Sequence, residues 1–346
     1  MGELYRELAD FQTLYAAFRE VRASNGRTKE SIRFEMNLAQ ELWNLQNELA
    51  SGSYHPGRYF LFYVTVPKLR EIHALPYRDR VVQQAVCARF LKPWFENRLI
   101  YDCAACRENK GTHFAMDRFA GFLRSFYRQH GTDGYVLKCD IRKYFDSIDH
   151  TVLKKRLEKY PDPELRAFLY QIIDGYESRP DAGLPLGNQS SQWFALYYLD
   201  PVDRLVKERL RIKYYSRYMD DFVLVHEDKE YLKYCRTEIE ALLSDLKLEF
   251  NEKTQIFPLK QGVDYLGFHF YLTETGKVIK KLRTSNKRHM KRRLRAMRRD
   301  YAEGKLSLED TQQILSSYMA HLKHGHTDKL RQKVWSSIVL VRSTPD

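Results

Sequence analysis

No apolar run in this 346-residue chain approaches the ~18 residues that a membrane-spanning helix needs. The start, MGELYRELADF, lacks the apolar core of a secretory signal. Arg6 stands where a myristoylation signal needs Ser or Thr. These absences lead us to expect a soluble, cytoplasmic protein that does not act at a membrane. Cysteine is scarce and odd in number: Cys87, Cys103, Cys106, Cys139 and Cys235. That count in a chain this long argues against a disulfide framework. The lone CxxC at 103–106 has no second Cys or His pair at ligand spacing, so small buried thiols are expected there rather than zinc. There is no internal repeat. Acid is missing from one long stretch: between Lys277 and Arg299, twelve Lys or Arg meet no Asp or Glu.

What is present in excess is positive charge. The net charge is +13 and the pI about 9.3. A surplus that large points to a polyanionic partner, most often nucleic acid, with a membrane surface as the other candidate. Hydrophobic residues are 43% and charged residues 30%, the balance of a globular chain. The basic stretch carries Met290, Leu294, Met297 and Tyr301 on one helical stripe. Twelve unopposed charges repel one another, so a phosphate partner accounts for them better than a merely solvated face. Ser307 with Asp310 predicts a capped helix that turns Leu315, Tyr318, Met319 and Leu322 inward. Residues 277–346 therefore read as a separate basic helical unit.

Upstream, apolar spacing predicts helices over most of 1–50, broken by turn residues at 51–57. Residues 59–80 read as strands joined by a short basic turn. Residues 131–149 read as loop, strand and turn, and 150–178 as mostly helical. A helix after the Gly/Pro loop at 179–191 should bend near Asp200-Pro201, because proline removes a backbone donor. Residues 230–247 predict a helix, and LEFNEKTQIF and VDYLGFHFYL one strand each. The whole is α+β.

The stretch RYMDDFVLV, 217–225, sets Asp220 and Asp221 side by side in apolar surroundings. Buried carboxylates are costly unless paired or metal-bound. A hairpin with both aspartates at its tip would let them reach one site, whereas adjacent residues of a straight strand face opposite ways. A third acid, Asp140, follows the apolar strand YVLKC. Three carboxylates at strand ends suit Mg²⁺, and two such ions support phosphoryl transfer. With the basic charge, this points to a nucleotidyltransferase acting on nucleic acid. Asp149 reads as a helix cap rather than a ligand.

In motif order, nearly the whole chain resembles reverse transcriptases. PKLREIHALPYRDRVVQ (67–83) is similar to their fingers segment, which implies that Lys68 and Arg70 hold the incoming triphosphate. ACRENKGTHFA (105–115) is similar to the next fingers motif and implies nucleic-acid contact by Arg107 and Lys110. KCDIRKYFDSI (138–148) resembles the first palm motif, with Asp140 a metal ligand and Phe145 a steric gate against a ribose 2′-hydroxyl. GLPLGNQSSQ (183–192) resembles the segment lining the template and nucleotide pocket, placing Gly187 and Gln192 there. YMDD (218–221) supplies the other metal carboxylates. LEFNEKT (248–254) resembles the motif whose lysine, here Lys253, protonates pyrophosphate, and YLGFHF (265–270) the primer grip. The resemblance implies a right-hand polymerase: N-terminal helical fingers at 1–50, fingers and palm at 51–276, and a basic thumb at 277–346 whose Lys287, Lys291, Arg292, Arg295 and Arg299 contact nucleic acid. It also implies two Mg²⁺ ions, with Mn²⁺ as a substitute, and dNTPs, template RNA and cDNA as partners, with an accessory protein or oligomer possible.

The pocket segment is L-G-x-x-x-S-Q where many prokaryotic retroelement enzymes have Q-G-x-x-x-S-P. That form resembles the enzymes of diversity-generating retroelements, with bacterial antiviral-defence reverse transcriptases as close relatives. A non-catalytic RNA-binding scaffold and an RNA-dependent RNA polymerase are further readings. The three aspartates oppose the first and the bulk of Phe145 the second. His321, His324 and His326 read as nucleic-acid contacts or as nothing functional, not as metal ligands.

Overall fold

The computed structural model describes residues 2–24, 26–65 and 69–342. Four helices open the chain: α1 (Glu3–Leu8), α2 (Phe11–Ser24), α3 (Lys29–Met36) and α4 (Leu38–Ala50). Their apolar stripes, including Leu8, Leu14, Phe18, Leu42 and Leu45, are buried in the main core. A two-stranded antiparallel arm follows, β1 (Phe60–Val64) paired with β2 (Arg70–Ala74), and β1 is exposed along its length. Next come α5 (Tyr77–Val86), a π-helical turn at Cys87–Leu91, α6 (Lys92–Glu96) and the long α7 (Thr112–His130).

The central sheet has strand order β4-β5-β3-β6, all antiparallel. Its members are β3 (Tyr135–Cys139), β4 (Tyr214–Tyr218), β5 (Asp221–His226) and β6 (Gln255–Pro258). Side chains alternate between its faces. Leu137, Cys139, Phe222 and Leu224 enter one core; Val136, Val223 and Val225 enter another with Phe119 and Phe126 of α7. A sheet covered on both faces reads as a continuous apolar run, which is why FVLV showed no alternation.

The predicted turn after β3 contains a short helix, α8 (Tyr144–Ser147), then α9 (His150–Leu157) and α10 (Pro163–Asp174). Asp149 caps α9, accepting from Val152 N at 2.9 Å. The bend expected at Asp200-Pro201 is a full break: α11 (Gln189–Tyr198) stops and α12 (Asp200–Arg204) begins with the proline in its first turn. Then α13 (Lys229–Asp245) lies against β3 and β5.

Two expectations are corrected. VDYLGFHFYL is not one strand but a hairpin, β7 (Val263–Tyr265) and β8 (Phe268–Leu272). Its turn, Leu266-Gly267, takes φ +47° and +88°, the geometry that joins antiparallel strands tightly. The basic unit also does not start helical at Lys277. Val278–Leu282 forms β9, paired with β8, and only then does α14 (Thr284–Ala302) begin. Helix α14, α15 (Leu308–Leu322) and α16 (Asp328–Ser336) enclose a small core of Met290, Leu294, Met297, Leu322 and Val334. The predicted Ser307–Asp310 cap is a reciprocal capping box. Of the histidines after α15, the His324 ring stacks on His113 of α7 at 3.2 Å between centroids, and the His326 ring accepts from Lys280 N at 3.1 Å. No described helix is long and apolar enough to cross a membrane.

Candidate active site

Strand register brings the three aspartates together. Cys139 of β3 lies opposite Phe222 of β5, so Asp140 leaves the sheet beside Asp221. Tyr218 pairs with Asp221 across the β4–β5 hairpin, leaving Met219 and Asp220 as its two-residue tip. Met219 has φ +58°, a left-handed conformation uncommon for a side chain of that size. Asp140 is fixed by its backbone: Asn251 N donates to its carbonyl at 2.8 Å, and its N–H donates to Thr254 Oγ1 at 3.2 Å. The same contacts carry the 248–254 segment, with exposed Lys253, to the edge of the site.

Electrostatics mark the cluster. Burial raises the Asp220 carboxyl to about 6, the Asp140 and Asp221 charges push the same way, and Arg70 opposes them. Asp221 is also raised, by burial first, with Lys138 at 3.5 Å opposing and Asp140 reinforcing. Its Oδ1 is buried and has no hydrogen-bond partner among the described residues. Among the described residues, no three His, Cys, Asp or Glu side chains close into a ready cage for an ion. Magnesium does not require one, since it commonly takes one or two carboxylates and completes its shell with water and substrate phosphate. The unpartnered Asp221 oxygen and the mutual repulsion of the carboxylates fit such a cation.

Two clefts lie in this region, one of them lined by the aspartates. One, of about 820 Å³, is lined by Asp140, Asp221, Lys138, Lys253, Arg283 and His289, and so lies between the sheet and α14. The other, of about 960 Å³, gathers Arg70, Arg142, Lys143, Asp146, Arg179 and Lys247. Phe145 is half-buried against the main core, and its carbonyl accepts from Leu184 N at 2.9 Å. Gly187 has φ +133°, and a Cβ there would lie 2.6 Å from the His73 carbonyl oxygen of β2. The His73 amide donates to Leu186 O at 2.8 Å, so the pocket segment and β2 are in direct contact. Gln192 is exposed on α11. Lys68 lies outside the described residues.

Two expected nucleic-acid contacts meet partners within the fold. The Arg107 side chain is only 7% exposed and is consumed internally, by Glu96 at 2.7 Å and the carbonyls of Ile100 and Cys103. Lys110 donates to Tyr101 O at 2.7 Å and lies over the Tyr101 ring. Both brace a loop. On α14 the expected residues are exposed. Lys287, Lys291 and Arg295 have no ion pair among the described residues, whereas Arg299 is shared with Asp300 and Glu303. Sequence reasoning missed Lys138, Arg142, Lys143, Arg179 and Lys247, which only the fold gathers. It also missed Asp203 and Arg217, although an arginine inside an apolar strand was a signal.

Residues 65–270 match the family described as reverse transcriptase (RNA-dependent DNA polymerase). The chain belongs to the reverse transcriptase family. Its enzyme class is therefore RNA-directed DNA polymerase, on a right-hand polymerase fold. Reverse transcriptases generally use divalent metal ions and an RNA template. Among curated relatives, the chain is 26% identical over 276 residues to protein YkfC of Escherichia coli (strain K12), covering 67% of this chain and 72% of that protein. It is 22% identical over 276 residues to the group II intron-encoded protein LtrA of Lactococcus lactis subsp. cremoris, covering 74% of this chain but only 44% of LtrA. Telomerase from Candida albicans, solved in complex with a fragment of telomeric RNA, aligns over 80% of this chain and 55% of its own, with TM-score 0.48 and 15% identity.

Proposed function

We propose that this reverse transcriptase makes cDNA on a structured RNA by two-metal nucleotidyl transfer at Asp140, Asp220 and Asp221. The observation that carries the reading is the β3–β5 register, which sets Asp140 beside the hairpin tip. The three carboxylates would hold two Mg²⁺, or Mn²⁺ in their place, and such ions when bound stabilise both the attacking and the leaving oxygens. Arg70 binds the triphosphate of the incoming dNTP in the 960 Å³ cleft, supported by the four other cations lining it, and Lys68 shares that role. Phe145 excludes the 2′-hydroxyl by bulk, and Lys253 delivers a proton to the departing pyrophosphate. Gly187 and Gln192 belong to the surface that seats the nucleotide and template base. The exposed cations Lys287, Lys291, Arg292 and Arg295, with Arg299 a weaker member, grip the primer–template backbone. On this reading residues 1–50 and the β1–β2 arm are fingers, the central sheet is palm, and the thumb begins at Thr284.

The L-G-x-x-x-S-Q segment supports a diversity-generating role, in which copying is lax opposite template adenines. Primer extension with dNTPs against rNTPs tests the polymerase reading; rNTP preference or no synthesis overturns it. Sequencing cDNA made on the native RNA tests the biological role. Frequent misincorporation opposite adenine is expected. Faithful copying of adenines, or a repetitive or protein-linked product, favours antiviral defence instead.

A further inference from the structure

Arg217 and Asp203 are the most deeply buried ion pair of the site region, each with no exposed surface. The arginine donates through Nε to Asp203 Oδ1 at 2.7 Å and through Nη2 to Oδ2 at 2.5 Å. Tyr215 donates to Asp203 Oδ1 at 2.7 Å, completing the acid's partners. The remaining donors do not serve the pair. Nη2 also reaches Leu196 O of α11 at 3.1 Å, and Nη1 donates to Met219 O at 3.1 Å. The Arg217 backbone is fixed as well: its N–H donates to Asp102 O, and its carbonyl accepts from Ala104 N, both at 3.1 Å.

The contact with Met219 is the informative one. Met219 is the strained residue of the hairpin tip, with φ +58°, and strained backbone persists only where its surroundings over-determine it. A buried ion pair is weak evidence for stability by itself, because apolar residues of similar volume can replace one without loss. Its rigid guanidinium fork, anchored on two helices, instead has a geometric use. We infer that Arg217 is a positioning residue: with Asp203 as its anchor, it clamps the Met219 carbonyl and so aims the Asp220 and Asp221 carboxylates at the reacting site. Lysine cannot reproduce this, since one ammonium cannot span Asp203, Leu196 and Met219 as a planar fork does. The inference rests on the assignment of Asp220 and Asp221 proposed above.

The test replaces the polar cluster by apolar residues as a unit: Arg217→Met, Asp203→Leu and Tyr215→Phe together. The variant is expected to melt cooperatively near the wild-type Tm and to bind primer–template and dNTP as before. Its kcat should fall on the order of 10²-fold, the scale of a misplacement near 1 Å. Amide hydrogen exchange in the 214–225 peptide should also quicken, a readout independent of catalysis. A stable triple variant with wild-type kcat and exchange overturns the inference and leaves the pair merely structural. If the triple variant does not fold, Arg217→Lys decides, wild-type kcat again being the overturning result. Failure of the underlying assignment looks different, because Asp220→Asn would then remain active.

Discussion

The hairpin tip and the basic helix α14 both serve charge, but they are built in opposite ways. At the tip, strand register and a strained turn set the backbone of Asp220 and Asp221, and a buried guanidinium holds the neighbouring Met219 carbonyl. On α14 the cations lie off the buried stripe of Met290, Leu294 and Met297 and project into solvent, and most have no ion pair among the described residues. The first arrangement suits chemistry that needs placement. The second suits a backbone ligand, where the number of charges matters more than their coordinates. Substitution should therefore act all-or-none at the tip and by increments on the helix.

The largest effect is expected from Asp140→Asn or Asp220→Asn. Either should abolish DNA synthesis in primer extension without lowering Tm; near-normal synthesis by either would erase the contrast. Next is pH. In metal-free protein the Asp220 carboxyl is raised to about 6 from an ordinary value of 3.8. Its protonated form thus favours the folded state. That stability is fully present below about pH 4 and lost as pH rises through about 6, amounting to at most about 3 kcal/mol. With a chelator present, wild type minus Asp220→Asn should show this fall in denaturant titrations between pH 4 and 8. A flat difference would mean that the tip is not desolvated.

Much of this was legible in sequence. YMDD and the strand before Asp140 stood out because carboxylates at the end of a short apolar strand are costly unless they bind a cation. The stripe of α14 and the cap at Ser307 followed from helical spacing. The internal partners of Arg107 and Lys110 were not legible, because a basic residue in a loop looks the same whether it faces phosphate or folds back on carbonyls. The cations of the 960 Å³ cleft come from segments over a hundred residues apart, Arg70 to Lys247, which no local pattern unites. The Asp203–Arg217 pair, only 14 residues apart, was hidden because its members sit on a helix and a strand that only the fold brings together.

The internal partners of Arg107 give the next prediction. Arg107→Gln should destabilise by about 1–3 kcal/mol, because buried partners lose their donor, yet leave the salt dependence of primer–template binding unchanged. Changing Lys291, Arg292, Arg295 and Arg299 to Gln should do the reverse. Stability should hold, and the slope of log affinity against log salt should flatten by about 0.9 for each phosphate no longer neutralised. Equal effects of both changes on the slope would blur the distinction between bracing and gripping cations. The smallest effect on overall activity is expected at Phe145→Ala: dNTP use persists and rNTPs become substrates. Unchanged rejection of rNTPs in competition assays would place the gate elsewhere.

The close approach at Gly187 has a mechanical meaning. Because its α-carbon sits against the His73 carbonyl and Leu186 accepts from the His73 amide, the pocket wall and strand β2 cannot slide past one another. Arg70 rides on that same strand. On the proposed reading, a hinge movement of the arm would carry the pocket wall with it, so that closure on a nucleotide and inspection of its base pair would be one stroke instead of two.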